Sequence, residues 1–143
     1  MKPFWKTSKF QIRWNEPLGD NTCPYAYRYV FIFFNYSIRL HKWLRSDDKR
    51  YCHNHPWWFC TLVLNGAYTD VDINGKEDKL NFLSFRYRPS SHSHYVKVPK
   101  EGCITILITG KPINTKWGFF VNGKFKRPLK YFHKYGHPPC SEQ

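Results

Sequence analysis

The sequence predicts an all-β sandwich or barrel, and three observations carry this prediction. Aromatic residues make up 20% of the 143 residues, and aromatic and β-branched side chains are those that strands favour. Short runs of these residues are separated by turn signals, including Asn-Gly pairs at 65–66, 74–75 and 122–123. Helical periodicity is almost missing. We therefore expect about eight to ten short strands in a single domain.

The chain divides into a lead-in at 1–24, a barrel at 25–131 and a basic tail at 132–143. The first barrel segment, 25–44, contains two strands or one bent strand. Its alternation predicts that Arg39, His41 and Trp43 share one face, with Ile38, Leu40, Lys42 and Leu44 on the other. The remaining expected strands lie at 82–89, 94–99 and 103–110, with hairpins centred on Asn65-Gly66 and Asn122-Gly123.

The formal net charge is +13, from 23 basic and 10 acidic residues. A positive balance of this size favours anionic partners such as nucleic acid, phosphorylated metabolites or an acidic surface. The run at 124–137, "KFKRPLKYFHKYGH", combines basic and aromatic residues that would contact phosphates and stack on bases. The alternative is a charged, solvated surface, and charge alone does not separate the two.

The five cysteines are irregularly spaced and contain no Cys-x-x-Cys pair, so neither a disulfide framework nor a zinc ribbon is indicated. The first residues contain no apolar segment typical of a signal peptide. No apolar run approaches the roughly 20 residues that span a bilayer. We therefore expect a cytoplasmic protein with reduced thiols. The cysteines are Cys23, Cys52, Cys60, Cys103 and Cys140.

Four of the seven histidines form two His-x-His pairs, His53 with His55 and His92 with His94. Residues i and i+2 of a strand point to the same face, so each pair can reach one point. Imidazole nitrogens bind zinc, iron, copper, nickel and manganese. Two pairs that meet inside one barrel would supply three or four ligands. The alternative is histidine in polar loops or in a hydrogen-bonded core.

Two segments resemble the paired motifs of the cupin superfamily. "HNHPWWFCTLVLNG" is similar to the first motif, with His53, His55 and Gly66 at its histidine and glycine positions. "RPSSHSHYVKVP" is similar to the second, with His94 directly before a strand, which makes it the preferred third ligand over His92. The resemblance covers about residues 36–131, a region that looks like small cupins of phages and bacteria that carry His-x-His-Pro-Trp.

This resemblance implies a double-stranded β-helix, a jelly-roll barrel, around one divalent metal ion, whether iron, manganese, nickel or zinc. One position departs from the motif, because Phe59 stands where most cupins carry a glutamate ligand. If the spacing is one residue longer, that position is Cys60. Either three histidines form the site or Cys60 adds a thiolate, although an extended strand would turn Cys60 away from His53 and His55.

The neighbouring sequence contains candidate substrate contacts. Arginine in a barrel mouth would bind a carboxylate or phosphate through two parallel hydrogen bonds. The alternative is that Arg86 and Arg88 face solvent and protect a sheet edge. No nucleophile and base are spaced for catalysis, so no catalytic residue is assigned. The candidate substrate contacts are Arg39, Tyr51, Trp58, Arg86 and Arg88.

Three functions remain open on sequence alone. The first is a mononuclear metalloenzyme, of the Fe(II) oxygenase or isomerase type, that acts on a small molecule, with an anion among the candidates. The second is a barrel that binds a small ligand without catalysis. The third is a basic β protein associated with nucleic acid. The cupin resemblance also implies pairing of two copies through an edge strand or the segment 1–24.

Overall fold

The computed structural model describes residues 5–6, 9–113 and 116–140. Within these residues the chain forms twelve strands and a single short helix. That helix is too short to cross a membrane, and no other is described. The elements are β1 (Trp5–Lys6), β2 (Phe10–Asp20), β3 (Cys23–Phe33), β4 (Tyr36–Trp43), β5 (Phe59–Gly66), β6 (Tyr68–Asp72), β7 (Glu77–Leu80), β8 (Phe85–Arg88), β9 (His94–Lys97), β10 (Cys103–Thr109), β11 (Phe119–Val121), β12 (Lys124–Lys126) and α1 (Pro128–Tyr135).

The strands form one large antiparallel sheet and two small ones. The large sheet has the order β1-β2-β3-β4-β10-β5-β8, and the small sheets are β7-β6-β9 and the hairpin β11-β12. The main core cluster joins Val63 and Cys103 of the large sheet to Tyr68, Leu80 and Val96 of the β7-β6-β9 sheet. These two sheets therefore pack face to face, which is the arrangement of a β-sandwich or jelly roll.

Of the two hairpins that the sequence predicts at Asn-Gly pairs, the structure contains one. The hairpin at Asn122-Gly123 is confirmed, because β11 and β12 pair across it. No hairpin forms at Asn65-Gly66, since β5 pairs with β10 and β8 whereas β6 pairs with β7 and β9. There the chain crosses from the large sheet to the small one. Gly66 has φ +74°, and a Cβ on it would lie 2.6 Å from the carbonyl oxygen of Gly102.

The alternation predicted for β4 is confirmed. Arg39, His41 and Trp43 line an internal cavity, whereas Ile38 is 43% exposed on the outer face. The inner face of this strand is therefore the one that carries the charged and ring-nitrogen groups. Because β3 pairs with β4 in register, Arg28 lies directly opposite His41.

The outer face of the large sheet carries an apolar row that runs across five strands. Phe31, Ile38, Ile108, Cys60 and Tyr87 are successive register partners. Phe31, Ile38, Ile108 and Tyr87 are 41 to 57% exposed. We call these five residues the outer apolar row.

The segment expected to be a lead-in contributes a strand to the large sheet. The described part of it includes β2, which pairs with β3 from Phe10 opposite Phe33 to Asp20 opposite Cys23. Residues 1–4 and 7–8 of that segment, and 141–143 of the expected tail, lie outside the described residues.

The C-terminal segment is tied to the barrel by stacking, hydrogen bonds and a disulfide. Tyr131 of α1 stacks on Phe119 with ring centroids 3.9 Å apart, and its hydroxyl donates to Asp48 at 2.8 Å. Cys140 is bonded to Cys23, with a Cα–Cα distance of 5.9 Å. The expectation that no cysteine is disulfide-bonded is therefore wrong for this pair, because their irregular spacing says nothing about their proximity in the fold.

We expect Tyr131→Phe to lower the free energy of unfolding by about 1–3 kcal/mol, because Asp48 is buried and loses a hydrogen-bond donor. Urea denaturation would measure the loss. Tyr29→Phe is the matched control, since its hydroxyl donates to Asn15 at an exposed site. That variant should stay within about 0.5 kcal/mol of the wild type. Equal losses in both variants would contradict the account.

Candidate metal centre

Three imidazole rings meet between the large sheet and the small ones. The backbone N–H of His53 donates to the carbonyl of His94, and the N–H of His94 donates back, both at 2.9 Å. This two-way pairing places the two rings side by side, with centroids 4.9 Å apart. His55 joins them, with its Nε2 3.3 Å from Nε2 of His94. One ring nitrogen from each of the three lies within 4.8 Å of the other two.

The environment keeps the first two of these rings uncharged. Burial lowers the pKa of His53 to about 3, and the neighbouring His94 adds to that effect. Burial also holds the pKa of His55 well below its usual range. Neutral imidazoles offer lone pairs, so at neutral pH these rings are prepared to bind a cation without first losing a proton. The donor set fits a divalent transition metal.

Asp70 orients the third ring. The carboxylate is buried, and its Oδ2 lies 2.7 Å from Nδ1 of His94, so Nδ1 carries a hydrogen and the neutral form of the ring presents its lone pair at Nε2, toward His55. Burial alone would raise the pKa of Asp70, but hydrogen bonds from His92 and His94 hold it well below its usual range. A carboxylate behind a ligating histidine is a common arrangement around protein-bound metals.

His92 contacts Asp70 and is not one of the three converging rings. Its Nε2 lies 2.9 Å from Oδ1 of Asp70. Asp70, His92 and His94 form a second group whose ligand atoms lie within 4.8 Å of one another. Both groups share His94, whose Nδ1 is already donating to Asp70. His92 is thus placed to orient Asp70, and through it His94.

At the position where the cupin motif carries a glutamate, this chain has Phe59, which forms an apolar part of the cavity wall. Phe59 is buried, with its ring centroid 5.2 Å from that of His55 and 5.8 Å from that of His94. Cys60 lies opposite Tyr87 in the outer apolar row and does not line the cavity. Cys60 is therefore turned away from the three rings, as the strand alternation predicts.

A second carboxylate approaches the rings from the loop after β4. Asp47 is buried and lines the cavity, and its Oδ2 lies 3.9 Å from Nε2 of His53. Its Oδ1 accepts a hydrogen bond from the backbone N–H of Val96 at 2.8 Å. Burial raises the pKa of Asp47 to about 8. Sequence reasoning missed both Asp47 and Asp70, because an aspartate in a polar loop or strand carries no sign of burial.

The rings open onto a cavity of about 430 Å³. On one side of it the His55 ring stacks on Trp57, with centroids 4.6 Å apart and planes 8° from parallel. The guanidinium of Arg39 also lies over the Trp57 ring, at 4.7 Å from its centroid. The indole of Trp57 therefore contacts both the histidine and the arginine.

Of the five candidate substrate contacts, only Arg39 lines this cavity. Trp58 packs against Gly110 and Tyr87. Tyr51 packs against Tyr131 and Tyr135 beneath α1.

The other two arginines pair with one carboxylate at the rim of the large sheet. Arg86 donates to Asp78 at 2.9 Å, and Arg88 donates to it at 2.6 Å. Arg88 also approaches Asp70, with its Nε 3.5 Å from Oδ2, and so lies behind the histidines and outside the cavity.

Comparison with known proteins bears on the fold. The sequence matches no protein-family profile and no curated protein. Among solved structures, the dimethylsulfoniopropionate (DMSP) lyase DddQ from Ruegeria pomeroyi DSS-3 is similar, with TM-score 0.57, 11% identity, and coverage of 82% of this chain and 71% of that one. The Fe(II) form of HppE is similar with TM-score 0.56 and 12% identity, over 74% of this chain and 59% of that one.

A third similar structure is hydroxypropylphosphonic acid epoxidase from S. wedmorenis, with TM-score 0.53, 13% identity, and coverage of 66% of this chain and 56% of that one. This chain therefore spans less than three-fifths of the length of the epoxidase and of HppE. At such low identity the likeness describes architecture. The fold is the all-β, cupin-type jelly roll that the sequence predicts.

We expect Asp70→Asn to weaken Zn²⁺ binding by about 10–100-fold, because the amide cannot accept from both histidines with the strength of a carboxylate. Competition with a chromophoric chelator measures the affinity. Asp78→Asn is the matched control, since it removes the same charge and also contacts Arg88. The account requires that the control bind Zn²⁺ like the wild type, and equal weakening would count against a positioning role.

The buried ring of His41 makes stability depend on pH. Burial, with Arg28 and Arg39 nearby, lowers its pKa to about 3, whereas an exposed histidine titrates near 6.5. Between these values the unfolded chain binds a proton that the folded chain does not, so stability falls as the pH drops from about 6.5 toward 3.

We expect the slope of unfolding free energy against pH, between about pH 4 and 6, to be shallower in His41→Gln than in the wild type. The difference should approach about 1.4 kcal/mol per pH unit, which corresponds to one proton. Urea titrations of metal-free protein at several pH values measure both slopes. Identical slopes would mean that His41 is protonated in the folded chain.

Proposed function

We propose that this protein binds one divalent metal ion through His53, His55 and His94 and acts as a metalloenzyme on a small anionic organic molecule. One observation carries the proposal: three inward-facing imidazoles, two of them kept neutral by burial, converge at the wall of a cavity that suits a small molecule. Three protein ligands would leave open positions on the metal, as catalytic sites require.

The surrounding residues have defined tasks in this proposal. The metal, when bound, supplies Lewis acidity and, as Fe(II), one-electron chemistry. Asp70 holds the His94 ring in the ligating tautomer, and Trp57 holds the plane of His55. Phe59 excludes water from the side on which the resembled motif has glutamate. Asp47 is the carboxyl group beside His53, and burial, which raises its pKa to about 8, favours its uncharged form at neutral pH.

The similar structures support a metal and a small anionic substrate. They include the Fe(II) form of HppE and an epoxidase named for a phosphonic acid. Imidazole ligands also suit manganese, nickel and zinc, so iron is one member of the proposed set. Within the enzyme class, we propose an oxygenase- or isomerase-type reaction, because the open metal positions and the cavity suit a substrate held beside the metal.

A barrel that binds the same small molecule without reaction is the alternative. It would use the same cavity, so the discriminating measurement is whether the bound metal keeps exchangeable water beside the ligand. Association with nucleic acid through 124–137, which lies on β12, α1 and the segments around them, stays a prediction. Pairing of two copies and a cytoplasmic location also stay predictions.

We expect His53→Ala and His94→Ala each to lose at least 90% of bound metal, roughly the effect of removing one of three ligands. His133→Ala is the control, because His133 is exposed on α1. Elemental analysis of untagged protein, reconstituted and then dialysed, should give about one metal per chain in the wild type and the control. A wild type that stays well below that ratio would overturn the proposal.

A further inference from the structure

The part of the cavity lining that comes from β2, β3 and β4 carries more positive charge than its carboxylate partner balances. Arg13, Arg28 and Arg39 all line the cavity. Glu16 accepts from Arg28 at 2.7 and 3.0 Å and from Arg13 at 3.4 Å. Glu16 is itself buried, and its hydrogen-bonded partners among the described residues are these two arginines. The remaining cavity carboxylates lie elsewhere, Asp47 beside His53 and Asp48 paired with Arg50.

Arg39 is the one of these three arginines that has no carboxylate partner among the described residues. Its Nε donates to the hydroxyl of Ser37 at 2.9 Å, and its guanidinium lies over Trp57. Among the described residues, no carboxylate lies within 4.0 Å of it and its two terminal nitrogens have no hydrogen-bond partner. Burial, together with Arg28 and Arg13, lowers the pKa of Arg39 to about 9. Buried cations are normally paired, so this side chain lacks an anion.

His41 is a second side chain in this part of the cavity whose polar atoms lack hydrogen-bond partners. It precedes Trp43 on the cavity face of β4, two residues after Arg39, and lies opposite Arg28 of β3. The residue is 8% exposed, yet neither ring nitrogen has a hydrogen-bond partner in the part of the chain that the structure describes. A buried polar group left unpaired costs about 1–3 kcal/mol, and such groups usually find a partner. Two neighbouring side chains that line one cavity thus have unused donors.

We infer that Arg39 and His41, with Arg28 beside them, form a subsite for the oxyanion end of a small ligand, either a carboxylate or a phosphoryl group. The guanidinium fork binds such groups through two parallel hydrogen bonds, and His41 adds a third donor. As an account of the substrate, this inference rests on the proposed function.

Trp57 links the proposed subsite to the histidine triad. Its ring contacts both His55 and the Arg39 guanidinium, so the two groups of side chains adjoin within one cavity. A ligand that uses both is a short molecule with an oxyanion directed at Arg39 and a second group directed at the metal.

The test is anion binding to metal-free protein, because the subsite does not need the metal. Inorganic phosphate and acetate are titrated by calorimetry at constant ionic strength, so that general screening of the +13 charge is the same throughout. We expect saturable binding of at least one anion to the wild type. Arg39→Met should bind it at least tenfold more weakly, whereas Arg86→Met should match the wild type, because Arg86 pairs with Asp78 outside the cavity.

Thermal unfolding provides a second measurement that is independent of calorimetry. The anion should raise the Tm of the wild type and of Arg86→Met, and should leave that of Arg39→Met unchanged. Loss of an unpaired buried cation should not destabilise the fold, so Arg39→Met without anion should melt no earlier than the wild type. Arg39→Lys, which keeps the charge without the fork, should bind with intermediate strength.

The outcomes separate this inference from the proposed function. Anion binding that depends on Arg39 supports the subsite even if the chain binds no metal. Non-saturable binding, or equal affinity in Arg39→Met and the wild type, overturns it even if Zn²⁺ binds at one per chain. A stronger response to phosphate than to acetate identifies a phosphoryl group, and the reverse identifies a carboxylate. Binding of an oligonucleotide but of neither small anion would also overturn it.

Discussion

The reciprocal backbone hydrogen bonds between His53 and His94 are the constraint on which the candidate metal centre depends. They join two motifs that are distant in the chain and fix which faces of the two segments meet. His53 also bridges to Phe119, so the same residue links the β7-β6-β9 sheet to the β11-β12 hairpin. A slip of one residue would turn one ring to the opposite face, because side chains alternate along extended segments. The His53–His94 pairing thus fixes both how these segments meet and where their imidazole rings lie.

The cavity has two electrostatically different sides. Around the histidines, burial favours neutral rings, and the one strongly held negative charge, Asp70, lies behind His94 and not in the cavity. Around β3 and β4, arginines outnumber the carboxylate that pairs with them. Trp57 contacts a residue of each side, His55 and Arg39. A bound molecule therefore meets imidazole lone pairs in one part of the cavity and arginine cations in the other. This difference favours one binding orientation.

Sequence reasoning reached the fold class and the two histidine pairs because both are local patterns. Strand composition and the His-x-His spacing depend only on neighbours along the chain. It failed at Asn65-Gly66, where both residues suit a tight turn but the strands on either side have better partners elsewhere. It could not find Asp47, Asp70 or the Cys23–Cys140 bond, because burial and proximity of these groups arise only when distant strands pack. For the same reason the sequence could not show that Arg39 lines the cavity whereas Arg86 and Arg88 pair with Asp78 outside it.

The outer apolar row has a consequence for how the protein behaves in concentrated solution. Phe31, Ile38, Ile108 and Tyr87 expose hydrocarbon that another copy could cover, while a net charge of +13 drives copies apart. That repulsion reaches about 10 Å at 0.1 M salt and only about 3 Å at 1 M. Colloidal stability is thus electrostatic in origin, so added electrolyte should promote self-association and turbidity where it would dissolve many other basic proteins.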